Sequence, residues 1–593
     1  MKSDGEQIWH GIGVAPGIAI GPAYVIDQTG LPVPEYAIPA TQIEKELKRF
    51  QAALVKTQRQ LSQLKQKAES LPAGAEDIKL LLEAYRGMLS GSRLVRGVEE
   101  QIEKNRINAE AAIQRQIAAL KASFAAMDDA YLAARADDVA EVGTRLIRNL
   151  LQQQYNPFEK TPAGSVIVAE EITPADTALM NPELVAGFAA VLGGAEGHAA
   201  IMARALGLPA VAGVADLVQG VNTGELVIID GDKGDVILRP KESTLQQYKQ
   251  ELARQQRETK KLKSLKNVPA VTSDGTAINL QANLELPREV EAALESGAAG
   301  IGLLRTEFMF MNRPDLPDED EQFEILRKLV NQLDGRPATI RTLDVGGEKL
   351  ATALGDAVGE SANPALGLRA IRLGLREPKL LETQLTAILR ASAYGPLRIL
   401  IPMVSSVSQM KQVRGRLMQI ERRLERRGVK LPDAMPPVGA MIEIPGAALA
   451  ADALARICDF FAIGSNDLTQ YTLAIDRGDD RVADLYDPFH PAVLRLIQFT
   501  AAAAWRANIP VSLCGEMAGD PHATALLLGL GLRELSMAPL RLPPVKQEIT
   551  QTSIQRASAF AEMIMNQTDE GEIRELLQKG IPAEEPAEKR KRG

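Results

Sequence analysis

Several polar residues in the C-terminal half each close or follow a short run of Val, Ile, Leu or Phe. Arg305 ends GIGLLR, Arg341 lies in TIRTLD and Arg369 in NPALGLRAIR. Glu443 closes GAMIE, Asn466 and Asp467 follow DFFAIGS, Cys514 ends PVSLC, and Arg477 follows in TLAIDRGDD. Guanidinium groups bind carboxylate and phosphate through paired hydrogen bonds, so arginines brought to one place imply an anionic ligand. Glu443 and Asp467 would repel that ligand unless a hard cation such as Mg²⁺ bridged their oxygens to it. The plainer alternative, each arginine pairing with a nearby acid on the surface, is weakened by their shared placement after apolar runs. Cys514 is open to two readings, a buried structural cysteine or a thiol that gives a proton or attacks. Cys458 reads as core.

His198 is the other residue with a chemical setting. In GGAEGHAAIMARALGLP, residues 193–209, it stands where a glycine turn becomes helix-forming sequence. Free N–H groups and the positive end of the helix dipole at that place favour a bound anion and keep the imidazole neutral. A phosphoryl group carried on His198 would be stabilised where it sits. A loop histidine with a backbone contact is the alternative, and no second His or Cys nearby supports a metal site. His10, His490 and His522 lack a comparable setting and read as structural.

The elements that must hold these residues are legible as changes of texture. From residue 269 to 566, eight strand-like runs alternate with helical sequence: 277–283, 300–306, 339–344, 397–403, 439–444, 459–467, 510–516 and 534–537. Their number and spacing predict a (β/α)8 barrel, whose active sites lie at the C-terminal ends of the strands. Residues 1–40 and 156–240 read as an α/β domain of short strands with glycine turns, among them SVIVAE, AAVLGG (from residue 189), PAVAGV, ELVIIDG and DVILRP. Between them, 41–155 is helical throughout. TQIE at 41–44 is a capping-box signature, and apolar or small residues recur in heptad fashion from Ile43 to Leu71. Two helical hairpins are expected there. Residues 241–268 read as a charged helical linker, and 567–593 as a disordered tail.

Composition narrows the class. The 593 residues are 45% hydrophobic and 24% charged, as in an ordinary globular protein of several domains. A net charge of −8 and 4% aromatic content give no footprint for nucleic acid. Two cysteines without metal or disulfide spacing point to a reducing compartment, and no apolar run is long enough to span a bilayer. A cytoplasmic location is expected, with no membrane insertion.

Taken together, GIGVAPGIAIGPA, the GG…H…IMARALGLPAV segment, GIGLLRTEFMFMNR, IRTLDVGGEK, NPALGLRAIR, IPMVSSV, MIEIPGAA, IGSNDLTQYTLAIDR and CGEMAGD resemble phosphoenolpyruvate–protein phosphotransferase, Enzyme I of the sugar phosphotransferase system. The resemblance spans almost the whole chain. It implies a multidomain α/β fold: a swivelling phosphohistidine domain (1–40 and 156–240) with an all-helical insertion (41–155) that docks the phosphocarrier HPr, then a (β/α)8 barrel (269–566) that binds phosphoenolpyruvate and dimerises. It implies Mg²⁺ on Glu443 and Asp467, and substrate held by Arg305, Arg341, Arg369, Asn466 and Arg477. His198 would be the phosphohistidine nucleophile and Cys514 the proton donor that completes pyruvate. Family members usually carry Thr-Ser before the histidine; here Glu196 and Gly197 replace them. Thr173, in EITPADTAL, matches a family threonine and is expected to support His198. The rival readings are a regulatory, nitrogen-type Enzyme I, a phosphoenolpyruvate synthase or pyruvate phosphate dikinase, and a non-catalytic phosphoenolpyruvate-binding scaffold. The sequence shows no large N-terminal nucleotide-binding domain or glycine-rich phosphate loop for the synthase or dikinase.

Overall fold

The computed structural model describes residues 5–26, 33–68, 76–125, 130–152, 158, 161–173, 179–180, 184–193, 203, 207–310, 315–346, 363–476, 482 and 485–582. The chain divides into two compact units, Met1–Gln256 and Arg257–Gly593.

In the first unit, β1 (Gln7–His10), β2 (Ile12–Ala15) and β3 (Ile18–Ile26) precede five helices. These are α1 (Ile43–Ala68), α2 (Glu76–Met88), α3 (Arg93–Asn105), α4 (Ala109–Ala125) and α5 (Ala130–Leu150). The chain then returns through β4 (Ser165–Ala169), β5 (Val185–Ala190), β6 (Ala210–Ala212), β7 (Leu226–Asp230) and β8 (Asp235–Leu238). The strands form one sheet in the order β1-β8-β7-β3-β4-β5-β6-β2. β3 through β6 pair in parallel, and β1, β8, β7 and β2 join antiparallel. All five residues of β4 are buried; Ile167 and Ala169 enter one core, and Val166 and Val168 another. A strand covered on both faces needs no polar alternation, which is why SVIVA reads as one apolar run.

The helices close a separate core around Phe50, Leu61, Tyr85, Val98, Ile102, Ile113 and Leu146. Phe50, Leu54, Thr57, Leu61 and Leu64 of the expected seam are buried. Thr57 meets its polar need there, its hydroxyl donating to the Ala53 carbonyl at 2.8 Å and accepting from Asn149 Nδ2 at 2.8 Å. Two expectations change. Among the described residues the bundle has five helices rather than two hairpins, because Gly91, at φ 64°, ends the turn after α2 before Ser92 caps α3. The capping box at Thr41 does not form: Ala40–Gln42 is a 3-10 turn without a side-chain cap, so Thr41 lies inside the turn that leads into α1.

The second unit is a closed barrel of eight parallel strands. They are β9 (Asn279–Leu284), β10 (Ile301–Leu304), β11 (Ala338–Arg341), β12 (Leu397–Ile401), β13 (Val438–Ile442), β14 (Phe461–Ile463), β15 (Val511–Leu513) and β16 (Glu534–Met537). Each falls within or against one of the eight runs read from the sequence. Helices such as Glu319–Gln332, Pro378–Ala391, Val407–Arg426 and Pro491–Ala507 intervene and bury their apolar stripes against the strands. The helix Glu242–Ser264 fills most of the expected linker. The expected tail is corrected in part: Glu570–Lys579 is a helix whose Ile573 and Leu577 enter the barrel's main core. Leu576 and Ile581 pack against the same core, and Arg574 pairs with Asp487 at 3.1 Å, so an otherwise charged segment is docked. Residues 583–593 lie outside the described residues. Among the described residues, no helix is long and apolar enough to cross a membrane.

Candidate active site at the barrel mouth

The side chains singled out in the C-terminal half emerge where the strands end. Arg305 follows β10, Arg341 ends β11, Glu443 follows β13, and Cys514 follows β15. Asn466 and Asp467 lie in the first turn of the helix Ser465–Leu473, one residue beyond β14. Gly515 allows β15 to end close to that helix, because a Cβ at this position would lie 1.9 Å from Ser465 Oγ and 2.9 Å from Asn466 Oδ1. Asn466 is held from both ends: its Nδ2 donates to Glu516 Oε1 at 3.0 Å and its Oδ1 accepts from the Glu516 amide at 2.9 Å.

The acids form a cluster. Asp344, Glu443 and Asp467 each present a carboxylate oxygen within 4.8 Å of the others. Asp344 also anchors two arginines: Arg341 Nη1 reaches its Oδ2 at 3.0 Å and Arg369 Nη2 its Oδ1 at 2.9 Å. Glu307 Oε1 accepts from Arg341 Nη2 at 3.0 Å and from the Asp344 amide at 2.9 Å. Arg369 also donates to the Tyr471 hydroxyl at 3.2 Å, and Tyr471 donates onward to the Ala365 carbonyl at 2.7 Å. Arg305 is turned to Glu285 at 2.6 Å and is 43% exposed.

These contacts set the local electrostatics. Burial pushes the Glu443 carboxyl up, and the charges of Asp344 and Asp467 push it further, to about 8, against the opposing pull of Arg341 and of the Met403 amide 2.5 Å away. Met403 meets that carboxylate from a left-handed backbone, φ 55°, which few side chains adopt. Burial would weaken the charge on Arg341, but Glu307, Asp344, Glu443 and Asp467 outweigh it and hold the guanidinium firmly charged. Its Nε is buried without a hydrogen-bond partner among the described residues. The Cys514 thiol is buried among Leu303, Leu400, Met441, Phe460 and Ala462. Burial first, and the Glu443 charge second, push it up to about 12, so it keeps its proton at neutral pH.

The structure thus brings Arg341, Arg369, Glu443, Asp467 and Cys514 into one electrostatic neighbourhood. Thr173 is buried in the first unit. His198, Glu196, Gly197 and Arg477 lie outside the described residues. Two of the remaining histidines make structural side-chain contacts: His10 pairs with Asp235, and the His490 ring caps a helix by accepting from the Ala492 amide; His522 is exposed, and its backbone amide donates to Asp520. Cys458 is core, as expected.

Three family models match the chain: PEP-utilising enzyme, N-terminal, over residues 10–135; its mobile domain over 161–234; and its PEP-binding domain over 259–554. The chain is 42% identical to the phosphoenolpyruvate-protein phosphotransferase of Cupriavidus necator, over 94% of this chain and 97% of that one. It is 38% identical to that of Bacillus subtilis, over 96% and 98% of the two chains. The chain belongs to the phosphoenolpyruvate-protein phosphotransferase family.

Within that family's motifs, Asp344 and Glu307 are the residues that sequence reasoning passed over. Both lie in stretches that carried the resemblance, IRTLDVGGEK and GIGLLRTEFMFMNR. Each stands two or three positions after an arginine that was noticed, at the start of a loop where an acid is ordinarily solvated. The available signal was that arginine itself: a guanidinium led into a barrel mouth needs a fixed counter-charge.

Proposed function

We propose that this protein moves the phosphoryl group of phosphoenolpyruvate to its own His198 and then to a histidine of an HPr-type phosphocarrier, releasing pyruvate, as the first step of a phosphotransferase system. The observation that carries the reading is the joining of Arg341 and Arg369 to Asp344, Glu443 and Asp467 at one end of a closed barrel. Family membership supplies the substrate.

Mg²⁺ fits these residues. Three hard oxygen donors lie within 4.8 Å of one another, and burial together with repulsion from Asp344 and Asp467 drives Glu443 up to about 8. Glu443 and Asp467 would hold the ion, with Asp344 within reach. When bound, the ion neutralises charge on phosphate and enolate oxygens. Arg341 and Arg369, joined by Arg305, Arg477 and Asn466, bind and orient the phosphate and carboxylate. An imidazole nitrogen of His198 attacks phosphorus, a P–N bond forms, and the bridging P–O bond breaks toward the enolate. Charge neutralisation and alignment dominate such a transfer. The Cys514 thiol, held protonated, gives its proton to C3 of the enolate, and the thiolate is reprotonated from solvent. Thr173 supports the imidazole; Glu196 and Gly197 remove two hydroxyls that relatives' active histidines usually have beside them.

His198 belongs to the first unit and the acid cluster to the second, so the transfer needs the histidine domain to visit both the barrel mouth and the carrier. The helices of 41–155 are the docking surface for the carrier, and the barrel is the dimerisation domain. Two free, buried cysteines support work in the cytoplasm.

Incubation with phosphoenolpyruvate and Mg²⁺ should place acid-labile phosphate on the wild type and none on His198→Ala. Absence of label on the wild type would sink the reading, and label surviving in His198→Ala would move the nucleophile elsewhere. Discharge of the label onto added HPr proteins identifies the acceptor.

A further inference from the structure

One buried amide behind the barrel mouth is unused by this mechanism. Gln384 lies on the helix Pro378–Ala391, among Leu381, Leu385 and Ile388, and is 2% exposed. A primary amide at such a position costs stability unless both its ends are paired. Both are. Gln384 Oε1 accepts from the Leu343 amide at 2.8 Å, and Nε2 donates to Thr306 Oγ1 at 3.0 Å. The Thr306 hydroxyl, fully buried, donates in turn to the Arg341 carbonyl at 2.9 Å. The polarity of the chain is fixed at both ends, because a backbone N–H can only donate and a carbonyl can only accept.

We propose that Gln384, acting through Thr306, is a positioning residue that sets Arg341 and Asp344 for substrate binding. The inference rests on the proposed function. The amide reaches from the outer helix layer to two barrel loops at once, the one after β10 through Thr306 and the one after β11 through Leu343. Leu343 lies between Arg341 and Asp344, so three consecutive anchors fix this loop: the Arg341 carbonyl and the Leu343 amide from behind, and the Asp344 amide by Glu307. Glu307 also grips the Arg341 guanidinium. Without the amide, the loop keeps its strand pairing up to Thr342, whose amide bonds the Leu400 carbonyl, and loses its hold just where the two charged side chains branch. A glutamine amide offers an acceptor and a donor in the same plane at this reach without carrying a charge.

The test is the initial rate of His198 labelling against phosphoenolpyruvate concentration in the full chain with Mg²⁺, wild type labelling being the control for the function itself. Gln384→Met keeps the volume and removes both hydrogen bonds. It should raise the phosphoenolpyruvate KM about tenfold or more with a smaller change in kcat, since loss of ground-state positioning appears in KM. A merely structural role would lower the active fraction and leave KM in place. Thr306→Val should act in the same direction, Thr306→Ser should stay within about twofold of wild type, and Gln384→Met/Thr306→Val should be little worse than the poorer single variant, because one chain is cut in each. If Gln384→Met does not fold, Thr306→Val carries the test. An unchanged KM in Gln384→Met, or in Thr306→Val where the first does not fold, overturns the inference while a labelled wild type leaves the function standing.

Discussion

At the scale of the residue, Glu443 carries the sharpest electrostatic conflict in the barrel. Its carboxyl is raised from 4.5 to about 8 by burial and by Asp344 and Asp467. Between those values the folded chain holds a proton that the unfolded chain has released, so stability falls as pH rises through that window. Glu443→Gln keeps an acceptor for the Met403 amide and removes the charge. In chelator it should therefore melt roughly 2–5 °C above wild type at pH 8 and match it near pH 4.5. Mg²⁺ should shrink that gain by stabilising the wild type, and the variant should lose phosphoenolpyruvate-dependent labelling. Calorimetry with chelator at the two pH values decides it; a gain independent of pH would refute the cause given. The same conflict marks the limit of sequence reading at this scale. Glu443 and Asp467 were legible because they follow apolar runs. Asp344 was not, since its importance lies in being shared by Arg341, Arg369 and two acids distant in sequence.

At the scale of the element, all eight barrel strands were legible, because a strand buried on both faces writes itself as a short Val- and Ile-rich run between polar helices. Where a strand was misplaced, glycine was the reason. The sequence places a strand at AAVLGG, from residue 189, whereas β5 is Val185–Ala190. Gly187 interrupts its apolar pattern, yet a Cβ there would lie 2.6 Å from the Ala19 Cβ and 2.7 Å from the Pro209 carbonyl. That glycine marks close packing inside the sheet. The opposite error befell EGEIRELLQK, residues 570–579, whose charge hid a docked helix. Asp569 caps it, accepting from the Glu572 amide at 3.1 Å, and Ile573 and Leu577 fill one face. Ile573→Ala should cost about 2–4 kcal/mol in urea unfolding of the barrel unit. Glu575→Ala, which loses only an exposed pair with Lys579, should cost under about 0.5 kcal/mol. Equal effects from the two would mean that the helix does not contribute to the core.

At the scale of the whole molecule, the proposed transfer draws on both compact units, the histidine in one and the acid cluster in the other. Each closes its own hydrophobic cores: the helical and sheet cores draw on residues before 257, and the barrel cores on residues after 269. The helix Glu242–Ser264 is fastened in the first unit by Leu245 and Tyr248, whose hydroxyl donates to Asp230 at 3.0 Å. In the second unit, the buried Lys546 donates to the carbonyls of Leu265 and Lys266, both at 3.1 Å, just beyond the helix end. Units with separate cores unfold as separate cooperative blocks. Calorimetry of the full chain should therefore resolve two transitions. Phe50→Ala, at a fully buried position of the helical core, should lower only one of them. The ligand should move only the other: in His198→Ala, where on the proposed function no transfer consumes it, phosphoenolpyruvate with Mg²⁺ at a hundredfold excess over its dissociation constant should add about 2.7 kcal/mol to the state that binds it. The barrel holds the arginines and acids, so that gain belongs to the transition that Phe50→Ala leaves in place. If ligand and Phe50→Ala shifted the same transition, the substrate site would not belong to the barrel alone, and the division of labour between nucleophile and substrate domains would fail.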